Sequence, residues 1–145
     1  PSTITPEAFL PNDSPSPTEN IAPTNSPVPA NTPVASCGHI SVRFNSYGNF
    51  QITNNSGSTA ILTSMALYWH TIYGRWNKIS IGEVIGSPNE ENPPATHSFS
   101  GHMSNRTFRP GDSKTLTVDF QNGVKGGPYA ATFRFDNGCS HLARN

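Results

Sequence analysis

The sequence predicts an all-β chain: an immunoglobulin-like antiparallel β-sandwich over residues 37–145, behind an extended proline-rich N-terminal arm over residues 1–36. Three observations predict it. Nine of the fourteen prolines fall in the first 33 residues. Beyond Cys37, apolar residues recur with period 2 in short runs, each set off by Gly, Pro, Asn or Asp. The only two cysteines, Cys37 and Cys139, bracket those runs almost end to end.

The arm cannot pack a core. Prolines at this density remove backbone donors, and the few apolar side chains cannot offset the entropy of ordering the chain. Ten Ser/Thr and three acids (Glu7, Asp13 and Glu19) supply its polarity, and no Lys or Arg precedes Arg43. Such a composition reads as polyproline-like. The Ser/Thr-Pro pairs at Thr5, Ser14, Ser16, Ser26 and Thr32 are candidate O-linked glycan acceptors; a bare, stiff linker is the competing reading. Ile4, Phe9, Leu10, Ile21 and Val28 are candidate assembly contacts, short apolar pieces that fill grooves on neighbouring copies while prolines keep the segment extended.

In the domain, Ile40, Val42 and Phe44 alternate with polar residues and describe a half-buried strand. Phe50 and Ile52 continue it after the turn at 46–49, and Asn54-Asn55-Ser56-Gly57 is a further turn. The longest strand signal follows, with Ile61, Thr63, Met65, Leu67 and Trp69 on one face and Ala60, Leu62, Ser64, Ala66 and Tyr68 on the other. Ile79, Ile81, Val84 and Ile85 mark shorter strands, and residues 86–95 read as a surface loop. Phe99 and Phe108 mark weaker strands. After the turn Pro110-Gly111-Asp112-Ser113, Leu116, Val118 and Phe120 alternate cleanly; Tyr129, Ala131, Phe133 and Phe135 form the last run before Cys139. No stretch carries a helical period. Seven to nine short strands predict the sandwich, with a small barrel as the alternative.

A single disulfide between Cys37 and Cys139, made in an oxidising compartment, is the simplest reading of the cysteines, against two buried free thiols. The chain begins at Pro1 without an initiator Met, a signal-peptide pattern or an apolar run of membrane-spanning length, so the expectation is a processed, extracellular or cell-surface product with no membrane span. Charged residues make up only 12% of the chain, which leaves covalent glycans or partner contacts to cover part of the surface. The arm carries three acids and no base, and the domain nine bases and six acids, so the halves have formal charges of −3 and +3. No basic patch supports nucleic-acid binding.

No constellation selects catalysis. Glu90 and Glu91 sit in a Pro/Asn loop as a solvated tip, Asp119 and Asp136 alternate with core residues and point outward, and no carboxylate pair stands out as a glycosidase requires. His97 and His102 are five apart, on opposite faces of a straight strand, and only a turn near Gly101 brings them together. No metal, cofactor or phosphate-binding loop is expected. Three N-glycosylation sequons begin at Asn12, Asn54 and Asn105, of which Asn54, on a predicted turn, is the best placed. Tyr68 and Trp76 are the candidate sugar-stacking or interface aromatics, since Tyr68 points away from the face of Met65 and Trp69, and Trp76 follows a turn.

A Pro/Thr-rich linker, a domain of about a hundred residues and cysteines near both ends resemble the family 2 carbohydrate-binding modules of secreted glycan-degrading enzymes. The segment from Ile52 to Ile61, ITNNSGSTAI, is similar to that family's strand–turn–strand, and Pro110-Gly111-Asp112-Ser113 with the strand ending at Phe120 to its later turn. The resemblance implies a β-sandwich and polysaccharide binding through exposed tryptophans, of which this chain has two at most. The expected function is a structural subunit of an extracellular filament or surface assembly, a homopolymer whose arm docks on neighbouring copies. The alternative is a carbohydrate-binding module on its linker.

Overall fold

In the computed structural model, residues 37–123 and 128–145 are described; the arm lies outside them. Ten strands and a one-turn helix follow in order: β1 (Ile40–Ser46), β2 (Asn49–Asn54), β3 (Ala60–Tyr68), β4 (Trp76–Ile81), β5 (Glu83–Gly86), β6 (Ala95–Ser98), α1 (Met103–Arg106), β7 (Thr107–Phe108), β8 (Ser113–Phe120), β9 (Ala130–Phe135) and β10 (Ser140–Arg144). Two antiparallel sheets pack face to face, in the orders β1-β2-β8-β4-β5 and β10-β9-β3-β6, with β7 pairing β3 beside the second path. The expected sandwich is therefore the architecture. Among the described residues each sheet keeps two unpaired edges, so the strands do not close into a barrel.

Alternation builds the core. Phe50 and Ile52 from β2, Leu116 and Val118 from β8, and Ala131 and Phe133 from β9 are all fully buried between the sheets. The β1–β2 connection is a two-residue turn at Tyr47-Gly48 with φ of 50° and 75°, the left-handed pair that matches the twist of a hairpin. At one end of the sandwich, Tyr129 stacks on Phe44, Tyr73 and Phe120, with ring centroids 5.6, 5.4 and 5.9 Å away.

The longest strand departs from its predicted faces. Leu62 pairs with Phe135 and Ser64 with the adjacent Arg134, so Thr63 is an extra residue in a β-bulge. The bulge inverts the alternation: Ala60 and Leu62 face the core before it, and Met65, Leu67 and Trp69 after it. Ile61 and Thr63 therefore do not share the face of Met65. The bulge is held from three sides. Thr63 O accepts from Phe99 N at 2.9 Å, Thr63 Oγ1 donates to Arg134 O at 2.9 Å, and buried Arg106 donates from Nη1 to Leu62 O at 2.5 Å.

Other elements were also displaced. Part of the loop expected over residues 86–95 leads into β6, which ends before Phe99, and β10 follows Cys139, where no strand was predicted. α1 is a single turn, too short to show a 3.6-residue period; Lys114 Nζ caps its end by donating to the carbonyls of Ser104, Asn105 and Thr107. Cys37 and Cys139 form the predicted disulfide, with Cα atoms 5.3 Å apart. Each precedes an edge strand, β1 in one sheet and β10 in the other, so the bond ties the two sheets along one side. No helix among the described residues is long and apolar enough to cross a membrane.

Candidate interaction surface

Directly paired residues in an antiparallel sheet share a face, so the registers assign both outer surfaces. On the first sheet the outward residues of β2, β8 and β4 are polar and several satisfy one another, while Val84 of β5 is exposed opposite Ser80. Gln51 Nε2 donates to Ser113 Oγ at 3.1 Å, Thr53 and Ser113 share a hydroxyl contact at 2.9 Å, Thr117 Oγ1 donates to Asn49 Oδ1 at 2.8 Å, and Lys78 pairs with Asp119 at 3.3 Å.

The second sheet differs. Its outward residues fall into three rows across the strands: Ser98, Ser64, Arg134 and Ser140; then Thr96, Ala66, Thr132 and Leu142; then Tyr68, Ala130 and Arg144. Small Ala66, Ala130 and Thr132 floor a shallow trough between two large side chains, Tyr68 (49% exposed) and Leu142 (53% exposed). Arg134 and Arg144 stand exposed in the rows on either side of Leu142, and neither joins an ion pair among the described residues. No acid lies in these rows. Between two arginines that join no ion pair among the described residues, the surface is a strip of Ala66, Leu142 and the threonines Thr96 and Thr132.

Tyr68 leads into a rigid loop. Trp69 Nε1 donates to Gly74 O at 3.0 Å, His70 Nδ1 accepts from Ile72 N at 3.2 Å, and Asn122 Nδ2 donates to Ile72 O at 3.1 Å. Gly74 has φ of 72°, and a Cβ there would meet Asn122 Nδ2 at 3.0 Å, so this position needs glycine. Ile72, whose backbone these bonds tie to His70 and Asn122, leaves its side chain 62% exposed. Arg75 forms an ion pair with Glu91 and donates to Asn89 Oδ1 at 3.0 Å at its edge.

The predicted site residues divide. Tyr68 is exposed on this face, as expected. Trp76 is not available to a ligand: it is fully buried, its ring 5.8 Å from Trp69, because β4 turns its first residue into the core. Asn54 is also corrected. It is completely buried, its Nδ2 donating to Ser58 O and Phe108 O at 2.8 Å each while Oδ1 accepts from Ser56 N and Ser56 Oγ, so an N-linked glycan does not fit this fold. Asn105 is half-buried, with Nδ2 donating to Ile81 O at 2.9 Å. The acceptors Thr5, Ser14, Ser16, Ser26 and Thr32 and the contacts Ile4, Phe9, Leu10, Ile21 and Val28 lie outside the described residues.

His97 and His102 do come together. A left-handed His102, φ 50°, supplies the turn near Gly101, and both line a cleft of about 330 Å³ between β5 and the segment that follows β6. Burial lowers the pKa of His97 below its ordinary value, with Glu90 opposing the shift. No three His, Cys, Asp or Glu side chains converge among the described residues.

Sequence reading missed Ala66, Thr132, Arg134, Leu142 and Arg144 as one surface. No alternation of apolar and polar residues marks β10, where Leu142 and Ala143 are adjacent and the larger of the two faces outward. Comparison with family models, curated proteins and solved structures returned no match.

Proposed function

We propose that this chain is an extracellular structural subunit of a filament or surface assembly, with a glycosylated proline-rich arm that docks on neighbouring copies. The observation that carries this reading is the outer face of the second sheet, where exposed Tyr68 and Leu142 lie between Arg134 and Arg144, two arginines in no ion pair among the described residues. The disulfide fits an oxidising compartment. An arm that is extended before docking loses little entropy when it docks. Deleting residues 1–36 should abolish assembly in electron micrographs while the domain keeps its cooperative unfolding; filaments persisting without the arm would refute the reading.

A second reading, carbohydrate binding, is favoured by the exposed ring of Tyr68, which shares its row with Ala130 and Arg144 and has Thr132 diagonal to it. It predicts that the chain co-sediments with insoluble polysaccharide and that Tyr68→Ala releases it.

A further inference from the structure

The trough and the arm carry complementary patterns. Across the second sheet the order is Arg134, then the row of Leu142, Thr132 and Ala66, then Arg144. Along the arm the order is Glu7, then Leu10, then Asp13. The intervals of three residues matter, because a polyproline II helix turns once every three residues and so aligns such positions on one side. Ile4, Glu7, Leu10, Asp13 and Glu19 all fall on that one stripe, which contains every acid of the arm. The Ser/Thr-Pro residues Thr5, Ser14, Ser26 and Thr32 fall on a second stripe, one position round, where glycans leave the acidic stripe clear. Of that set only Ser16 shares the acidic stripe.

The lengths also agree. Glu7 and Asp13 are six residues apart, about 19 Å at the polyproline rise. Arg134 lies opposite Ser140 and Arg144 is four residues further along β10, about 14 Å at the strand rise. The reach of two arginine side chains covers the difference. Pro6 precedes the segment and Pro11 lies within it; both lack N–H donors, so the segment suits a sheet face better than a ladder position at a sheet edge.

We infer that the outer face of the second sheet receives residues 7–13 of a second copy, docked as a polyproline II segment with Leu10 in the trough between Tyr68 and Leu142, and with Glu7 and Asp13 on Arg134 and Arg144. Phe9, one position off the stripe, covers the trough from the side. This rests on the assembly reading and names its contact. Because the arm of one copy meets the sheet of the next, the interface is head-to-tail, and such contacts propagate as open filaments when their rotation does not close.

The test uses the full chain. With a photo-crosslinking amino acid at Leu10, and isotopically light and heavy chains mixed, mixed-mass crosslinks to peptides holding Ala66, Tyr68, Thr132 or Leu142 are expected. Crosslinks confined to single chains, or falling on the first sheet while filaments still form, would overturn the contact and leave the assembly reading standing. Dispersed particles with no crosslink would overturn both. Independently, the double variant Arg134→Glu/Arg144→Glu should lower the pelleted fraction about tenfold, the loss expected of two exposed charge pairs reversed. Adding Glu7→Arg/Asp13→Arg should restore it. Unchanged pelleting by the folded double variant, or loss of polysaccharide binding alone, would overturn the proposal.

Discussion

Arg106 Nη1 donates to Leu62 O at 2.5 Å, at the point where Thr63 bulges out of β3. The bulge frees that carbonyl from the ladder, and Arg106, 4% exposed, supplies the missing donor while its Nε reaches Gly101 O at 2.6 Å. The guanidinium lies 5.8 Å from the centroid of Phe99. No carboxylate pairs with Arg106 among the described residues; carbonyl dipoles and a ring face stabilise the charge instead. Arg106→Ala should therefore cost about 2–3 kcal/mol in urea unfolding, because it strands the buried Leu62 carbonyl and removes the donor to the part-buried Gly101 carbonyl. Arg106→Lys should recover less than half, since an ammonium lacks the planar fork that spans both carbonyls.

Asn54 joins three segments through one amide. It closes its own turn at Ser56 and Ser58 and reaches β7 at Phe108 O. Asn54→Ala should destabilise by about 3 kcal/mol, and Asn54→Asp by at least as much, because a carboxylate cannot donate to either carbonyl. Mass spectrometry of material from a glycosylating host should find Asn54 unmodified; a glycan there on folded protein would contradict its burial.

The disulfide closes a separation of 102 residues. Replacing both cysteines by Ala should lower unfolding free energy by about 3–5 kcal/mol, on the chain-entropy account of so long a loop. The midpoint in urea should shift, with native circular dichroism retained below it.

Gly86 lies directly beneath the His97 ring. A Cβ there would stand 2.5 Å from His97 Nε2 and 3.3 Å from Phe99 Cε1. His97 is itself set edge-on to Phe99 with centroids 5.2 Å apart, so the ring must leave that contact and swing toward the cleft it lines. Gly86→Ala should cost about 1–3 kcal/mol by overpacking, read from thermal unfolding.

Burial lowers the folded-state pKa of both His97 and His141; a hydrogen bond with the Cys37 backbone opposes the shift at His141, as Glu90 does at His97. Above their ordinary value of 6.5 both are neutral in either state, and they add no pH dependence. As pH falls below that value the unfolded chain binds protons first, so stability declines. Tm should drop between pH 7.5 and pH 5, and His97→Gln should flatten part of that slope. A slope unchanged in both His97→Gln and His141→Gln would show that other groups set it.

What was legible in the sequence was whatever depends on neighbours along the chain. Phe50 and Ile52, or Leu116, Val118 and Phe120, announce a buried strand face because the pleat alternates sides regardless of partner. Two cysteines bracketing nine of the ten strands left one pairing to make, and they make it. The tertiary structure alone decided the rest. Thr63 reads as one more residue of an alternating run until β9 pairs with β3 and leaves it unmatched, which inverts the faces of Ala60 to Leu62. Trp76 follows a turn and looks free, yet pairing with Phe120 turns it inward against Trp69. Asn54 sits in a turn motif and looks solvated, yet β7 and the turn before β8 close over it. Arg134 and Arg144 are ten residues apart and become one surface only when β9 and β10 align. Local periodicity fixes which way a side chain points relative to its own backbone, whereas register between distant strands fixes what it meets.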